Sequence, residues 1–423
     1  MEIGSRIRFY RIQQNMTQEA LSKSIISTSY LSKIENNQTT ASIEVLDCLC
    51  ERLKIQLIEE EEITLMKSLF DWYDNIAYRN LDAAKKQYKE LQVSVKKSSD
   101  TSAFIYFVLF EFRYFLLIQE YVEAEELLGK IHLFRDIFED KMTYYYEKFV
   151  GVFHYVNGKY NVALGHMKNA ERFLTRHLSF EKWEEADLYY SISLCCSQLR
   201  KHSLGIQYAN LALHINQSNY ELNRCAECHM LLGINYQREE EYQRSSENYD
   251  LAMKVSELLN DLVLEGKIYH NYGYLYSAME KYEEAINYFI KGISIKGTNN
   301  NQPKSLSSIL GIINAYYKLA RMEECKTWLE EGQKVLNEQF NEEYSIHFRI
   351  YHFLVNKEFK NQYEEFLTEI AIPYFLTREK HNYIIEYAEG LAKYFEEIHK
   401  YKSASYYYQI VMNALKKQSQ INY

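Results

Sequence analysis

Apolar residues recur three and four apart along almost the whole chain, so the pattern predicts helices throughout. Five short ones fit into residues 1–58. In the first, Ile3, Ile7, Tyr10 and Arg11 set the period. Thr17 caps a second, T-Q-E-A-L, in which Leu21 is apolar. Ser27 caps a third, T-S-Y-L-S-K-I-E, with Tyr30, Leu31 and Ile34 as its buried side. Ile43, Leu46, Leu49, Leu53 and Ile55 mark two closing helices. Residues 59–70 read as an acidic, then apolar, helical linker that can hold the first module against the rest of the chain or release it.

From residue 71 to 423 a pattern returns roughly every 40 residues, the mark of a repeat array. Its clearest copy, Y-G-Y-L-Y-S-A-M-E-K-Y-E-E-A-I-N-Y-F-I-K-G, has Gly273, Tyr276, Ala285 and Phe289 in sequence. Gly233, Tyr236, Ser245 and Tyr249 repeat it, as do Gly151, His154, Ala163 and Met167. Looser copies carry Ala84, Ala124, Gly205 and Ala404, with others near Cys325 and Gln362, which makes about nine helix pairs. Small residues let two antiparallel helices approach, and aromatics fill the groove against the next pair.

Composition sharpens this into an all-α fold. There are 14 Gly and two Pro in 423 residues, too little turn chemistry for a barrel or sandwich. The 40 Tyr argue for a packed chain. Net charge is −9, so any nucleic-acid contact must be local. Residues 1–40 are locally basic, with Arg6, Arg8, Arg11, Lys23 and Lys33 against Glu2, Glu19 and Glu35. The apolar run Ala103 to Phe110 falls far short of the roughly 20 residues of a membrane helix. A polar N-terminus and seven cysteines predict a cytoplasmic chain with free thiols and no membrane partner.

The run M-T-Q-E-A-L-S-K-S-I-I-S-T-S-Y-L-S-K-I-E-N resembles the helix-turn-helix of the Xre and phage-repressor family. The resemblance implies a backbone contact from Gln18 and major-groove contacts from Ser27, Thr28, Ser29, Ser32 and Lys33. The turn is one residue shorter than the family's and has Ser24 near the usual Gly. The plainer alternative is a small bundle that caps a dimer. The repeats resemble the tetratricopeptide repeat with longer helices, which implies a right-handed superhelix whose concave face is built from the first helix of each pair.

An extended peptide in such a groove needs side chains that both donate and accept, as Asn does. Asn235, Asn271 and Asn314 fall on successive first helices, with Tyr274 as a floor and Arg238 as an anion partner. Arg113, inside F-V-L-F-E-F-R-Y-F-L-L, either pairs with Glu111 or a neighbouring helix, or points a charge into the groove. The plainer reading makes the three Asn solvated positions.

Together the two parts resemble the RRNPP group of Gram-positive quorum-sensing regulators over the whole chain, its NprR branch above all. The resemblance implies a transcriptional regulator, an activator by analogy, whose DNA binding to an inverted repeat follows a short re-imported peptide. It also implies a homodimer or homotetramer, and it matches the family's peptide-contacting Asn to Asn271. D-W-Y-D-N-I and F-I-Y-F-V-L-F-E-F-R-Y resemble the Rap phosphatases, which dephosphorylate a sporulation response regulator. Thr101 falls where those enzymes carry a Gln, with Gln87 and Gln92 out of register. The resemblance thus implies, as an alternative, a peptide-free form that antagonises a sporulation response regulator by sequestering or dephosphorylating it, with Thr101 counting against catalysis but not against binding. Cys225, Cys228 and His229 spell a haem-attachment motif on a helix, where attachment chemistry has no loop to use. No cofactor, metal site or catalytic residue is expected.

Overall fold

A computed structural model describes residues 3–39, 41–55, 60–98, 100–174, 180–298, 306–356 and 360–420. The chain divides into two compact units, Met1–Phe180 and Glu181–Tyr423. Among the described residues every regular element is helical.

The first unit opens with α1 (Ile3–Gln13), α2 (Gln18–Ser22), α3 (Thr28–Glu35) and α4 (Ile43–Leu53). Among the described residues one closing helix stands where the apolar pattern predicts two; Lys54 turns left-handed at φ 56° and ends α4. Three pairs follow: α5 (Glu60–Ala77) with α6 (Leu81–Lys97), α7 (Thr101–Leu117) with α8 (Tyr121–His132), and α9 (Asp140–Val156) with α10 (Tyr160–Leu174). The boundary expected at residue 70 falls inside α5. Trp72 Nε1 donates to the Ala84 carbonyl at 2.9 Å, so α5 is the first helix of a pair rather than a linker.

The second unit stacks α11 (Lys182–Gln198) on α12 (His202–Ser218), α13 (Leu222–Arg238) on α14 (Tyr242–Leu259) and α15 (Leu262–Ala278) on α16 (Tyr282–Thr298). Then come α17 (Leu306–Lys318) with α18 (Met322–Glu338), and α19 (Glu342–Val355) with α20 (Lys360–Phe366). A wide turn at Leu367–Ala371 carries α20 into α21 (Ile372–Thr377), and α22 (His381–Glu397) packs on α23 (Tyr401–Gln420). Across both units the described residues form nine pairs.

The repeat is regular in the second unit. Ser193, Gly233, Gly273 and Ile313 follow at steps of 40 residues, each at the crossing of a pair. There the Ser193 hydroxyl donates to the Gly205 carbonyl (2.7 Å), and Ser245 donates to the Gly233 carbonyl (2.8 Å). Cys325 Sγ contacts the Ile313 carbonyl (3.2 Å) in the same way. The ring of Phe289 fills the space at Gly273, and Tyr249 does so at Gly233. Turns inside the pairs share the same step: Arg200, Glu240, Glu280 and Ala320 all adopt left-handed φ of 56–61°. Non-glycine residues thus supply the turns for which the chain holds so few Gly.

Candidate functional site

In the N-terminal module, Thr17 and Ser27 accept hydrogen bonds from the Ala20 and Tyr30 amides, so both predicted caps form. Ser24 takes φ 62°, the conformation for which the family pattern uses Gly. Leu21, Leu31 and Ile34 are buried, which turns Ser27, Thr28, Ser29 and Lys33 outward and leaves Ser32 half-buried. Four side chains able to meet base edges or phosphates therefore line one exposed side of α3.

Gln18 is placed differently from the expectation of a free backbone contact. Its Nε2 donates to Glu35 Oε2 at 2.7 Å, and Arg11 clamps the same carboxylate at 2.6 and 2.9 Å. Glu35 is buried, so this triad fixes α3 against α1 and α2. The basic footprint also narrows. Arg6 is buried, Arg11 serves Glu35, and Arg8 reaches Asn36 and Asp136 (3.4 and 3.6 Å), leaving Lys23 and Lys33 exposed.

In the second unit the first helices of successive pairs are tied by side chains. Arg238 on α13 donates to the carbonyl and hydroxyl of Ser197 on α11, at 2.5 and 2.8 Å. Tyr274 on α15 donates to the Ser307 carbonyl at 3.2 Å, beside His270, which bonds the Ser308 hydroxyl at 2.7 Å. Asn314 on α17 donates to the Tyr351 hydroxyl at 2.7 Å, and His347 on α19 bonds Tyr387 on α22 at 2.6 Å. Arg238, Tyr274 and Asn314 are thus held on one run of helices. Tyr274 keeps 38% of its surface exposed, yet burial holds its phenol well above its ordinary pKa.

The three asparagines do not share a register. Asn271 stands two residues before Gly273, Asn314 one after Ile313, and Asn235 two after Gly233. Positions equivalent to Asn235 hold Cys195, Leu275 and Ala315, all buried. Asn235 is buried with them: its Nδ2 bonds its own helix at Leu231 (2.9 Å), and the amide lies against Gly205. It is therefore core and not groove. Asn271 is half-buried, and its side chain makes no hydrogen bond to another described residue. Arg113 lies in the first unit, half-buried on α7, where Glu111 accepts a hydrogen bond from the Tyr88 hydroxyl (2.6 Å).

Thr101, where the phosphatase resemblance sought a Gln, is fully buried at the start of α7, its hydroxyl without a hydrogen-bond partner among the described residues. Gln87 accepts from Asn75 (3.0 Å) and Gln92 donates to Tyr88 (3.4 Å). Cys225 and Cys228 pack in the core between α12 and α13, where burial pushes the Cys228 thiol up to about 12. His229 bonds Asn248 at 2.9 Å.

Comparison with known proteins sets these sites in a family. Residues 7–59 match the helix-turn-helix family model and residues 224–296 a tetratricopeptide repeat model. The transcriptional activator NprA of Geobacillus stearothermophilus is 39% identical over 399 residues, 93% of this chain and 98% of NprA. The chain belongs to the RRNPP family. Its fold is also that of solved RRNPP structures. A Rap protein complexed with competence and sporulation factor superposes with TM-score 0.73 at 19% identity, covering 85% of this chain and 99% of that one. NprR in complex with its cognate peptide NprX gives TM-score 0.65 at 21% identity, over 85% and 100%. In this RRNPP chain no helix among the described residues is long and apolar enough to cross a membrane.

Proposed function

We propose that the protein is a cytoplasmic transcription activator whose DNA binding is switched by a short signalling peptide held on the first helices of the second unit. In this reading residues 1–58 bind an inverted-repeat operator through Ser27, Thr28, Ser29, Ser32 and Lys33, two copies matching its two halves. The repeats receive the peptide and set a dimer–tetramer equilibrium. Asn271 carries the reading. It is a donor–acceptor side chain without a partner among the described residues, three residues before the part-exposed Tyr274 on α15. Arg238 and Asn314 flank it, and their present bonds to Ser197 and Tyr351 are ones a peptide backbone would exchange for its own. To act as a switch the peptide must bind one oligomer more tightly than the other.

NprA is a transcriptional activator and NprR binds a cognate peptide, which supports both halves of the reading. The sequence similarity to relatives named response regulator aspartate phosphatases supports a second role, capture of a response regulator by the peptide-free form. The buried Thr101 speaks against phosphatase chemistry at that position. Light scattering on the eluting protein, with and without short peptides encoded beside the gene, tests the switch. One peptide should change the mass, and no change with any of them would count against the reading.

A further inference from the structure

The first and last helix pairs of the second unit touch. Arg200, in the turn between α11 and α12, donates from its guanidinium to the side-chain carbonyl of Asn382 at the start of α22. The bonds that tie successive first helices span 33 to 41 residues, as from Tyr274 to Ser307 and from Arg238 to Ser197. The Arg200–Asn382 bond spans 182. The repeat register shows which edges meet. Arg200 falls with Glu240, Glu280 and Ala320 on the edge that carries the turns inside the pairs. Asn382 stands three residues past the left-handed Glu379, as Asn223 stands three past the left-handed Tyr220, on the opposite edge where one pair passes to the next. Each pair is rotated a little from the one before it, so opposite edges meet where the array has completed a turn.

Burial agrees with that closure. Glu240, Glu280 and Ala320 are exposed, whereas Arg200 is half-buried. On the other edge Leu222 and Leu262 are 40% and 45% exposed, whereas His381 at the same position is half-buried, its Nδ1 closed off from solvent. Contact between the edges makes the concave face a tube reached from its ends, and parting them opens a slot along it. One charge-assisted hydrogen bond is strong enough to keep the closed form in excess and weak enough to part often. We propose that Arg200 and Asn382 form a clasp across the superhelical turn, and that a peptide enters and leaves the concave face when the clasp is open. This rests on the peptide-receptor reading and adds to it the route to the site. The clasp acts on entry and exit alike, so it sets how long a peptide is held rather than how tightly.

The probe is a fluorescent random heptapeptide library loaded on the full chain, with its release followed after gel filtration. Arg200→Ala should release it about tenfold faster, the worth of one charge-assisted bond. Its melting temperature should not change, since Ala320 occupies the equivalent turn. Cysteines at both positions (Arg200→Cys with Asn382→Cys), in a chain whose exposed Cys48 is changed by Cys48→Ser, should be joined by a short bismaleimide. Protein loaded and then joined should release peptide more slowly by about tenfold or more. Failure of the two positions to join would place the edges apart and overturn the clasp. Equal release from joined and unjoined protein, or from Arg200→Ala and wild type, overturns the gate and leaves the receptor reading intact. If the wild type retains no heptapeptide, the receptor reading falls and the gate falls with it.

Discussion

Phe9 of α1 and Phe134, just beyond α8, meet ring to ring with centroids 5.0 Å apart. Phe104 of α7 closes the other side at 5.2 Å, and Phe9 is fully buried. The DNA-binding module is thus docked on the second helix pair by an aromatic side chain on a different face of α1 from Ile7. We expect Phe9→Ala to cost about 3 kcal/mol in urea denaturation, as large aromatic truncations do. Asp136→Ala, which removes only the exposed partner of Arg8, should cost under about 1 kcal/mol. Equal effects would mean that the rings do not hold the module.

Lys33 and Glu35 lie two residues apart with opposite tasks. Lys33→Ala should weaken DNA binding and flatten its salt dependence at unchanged melting temperature, because an exposed cation is lost. Glu35→Ala strands Arg11 and Gln18 and should destabilise the module by about 3 kcal/mol. Melting curves beside a mobility shift at two salt concentrations separate the two. A Lys33→Ala protein that binds DNA as well as the wild type would remove α3 from the interface.

Gly273 and Ala320 invite opposite exchanges. A methyl at Gly273 would meet the Phe289 ring at 2.4 Å, so Gly273→Ala should destabilise by about 1–3 kcal/mol. Ala320 sits at φ 56°, so Ala320→Gly should stabilise by up to about 1 kcal/mol. Equilibrium unfolding of both reports the signs, and a destabilised Ala320→Gly would show that the turn is not strained.

How the chain announces its fold follows from those positions. Caps at Thr17 and Ser27, the Gly-like Ser24 and the pair crossings from Gly151 to Ala285 are local signals, carried by residue type and spacing. Asn235 misled because its meaning depends on register: two residues past the small residue of the crossing is core. Phe9 gave no signal, since a second apolar face on a short helix shows its partner only when α7 is in place.

His347 is fully buried between Tyr387 and Phe375, and burial, helped by Lys380, lowers its pKa to about 3. Its neutral form is the folded one, so the unfolded chain takes up a proton first as pH falls. Stability from this site is complete above pH ~6.5 and drains away down to about 3. At pH 5 the loss is about 2 kcal/mol. The midpoint of urea unfolding should fall accordingly between pH 6.5 and 5, and His347→Gln should flatten that slope. A slope unchanged by the substitution would place the acid sensitivity elsewhere.

The switch itself is tested by measuring DNA affinity with and without peptide, by anisotropy on duplexes selected in vitro against the full chain. A peptide that binds the wild type should raise its DNA affinity by about tenfold, within the usual range of coupling between sites. Asn271→Ala should bind the same DNA in the absence of peptide and fail to respond to it. DNA affinity indifferent to every bound peptide, or an Asn271→Ala protein that responds like the wild type, would contradict the account.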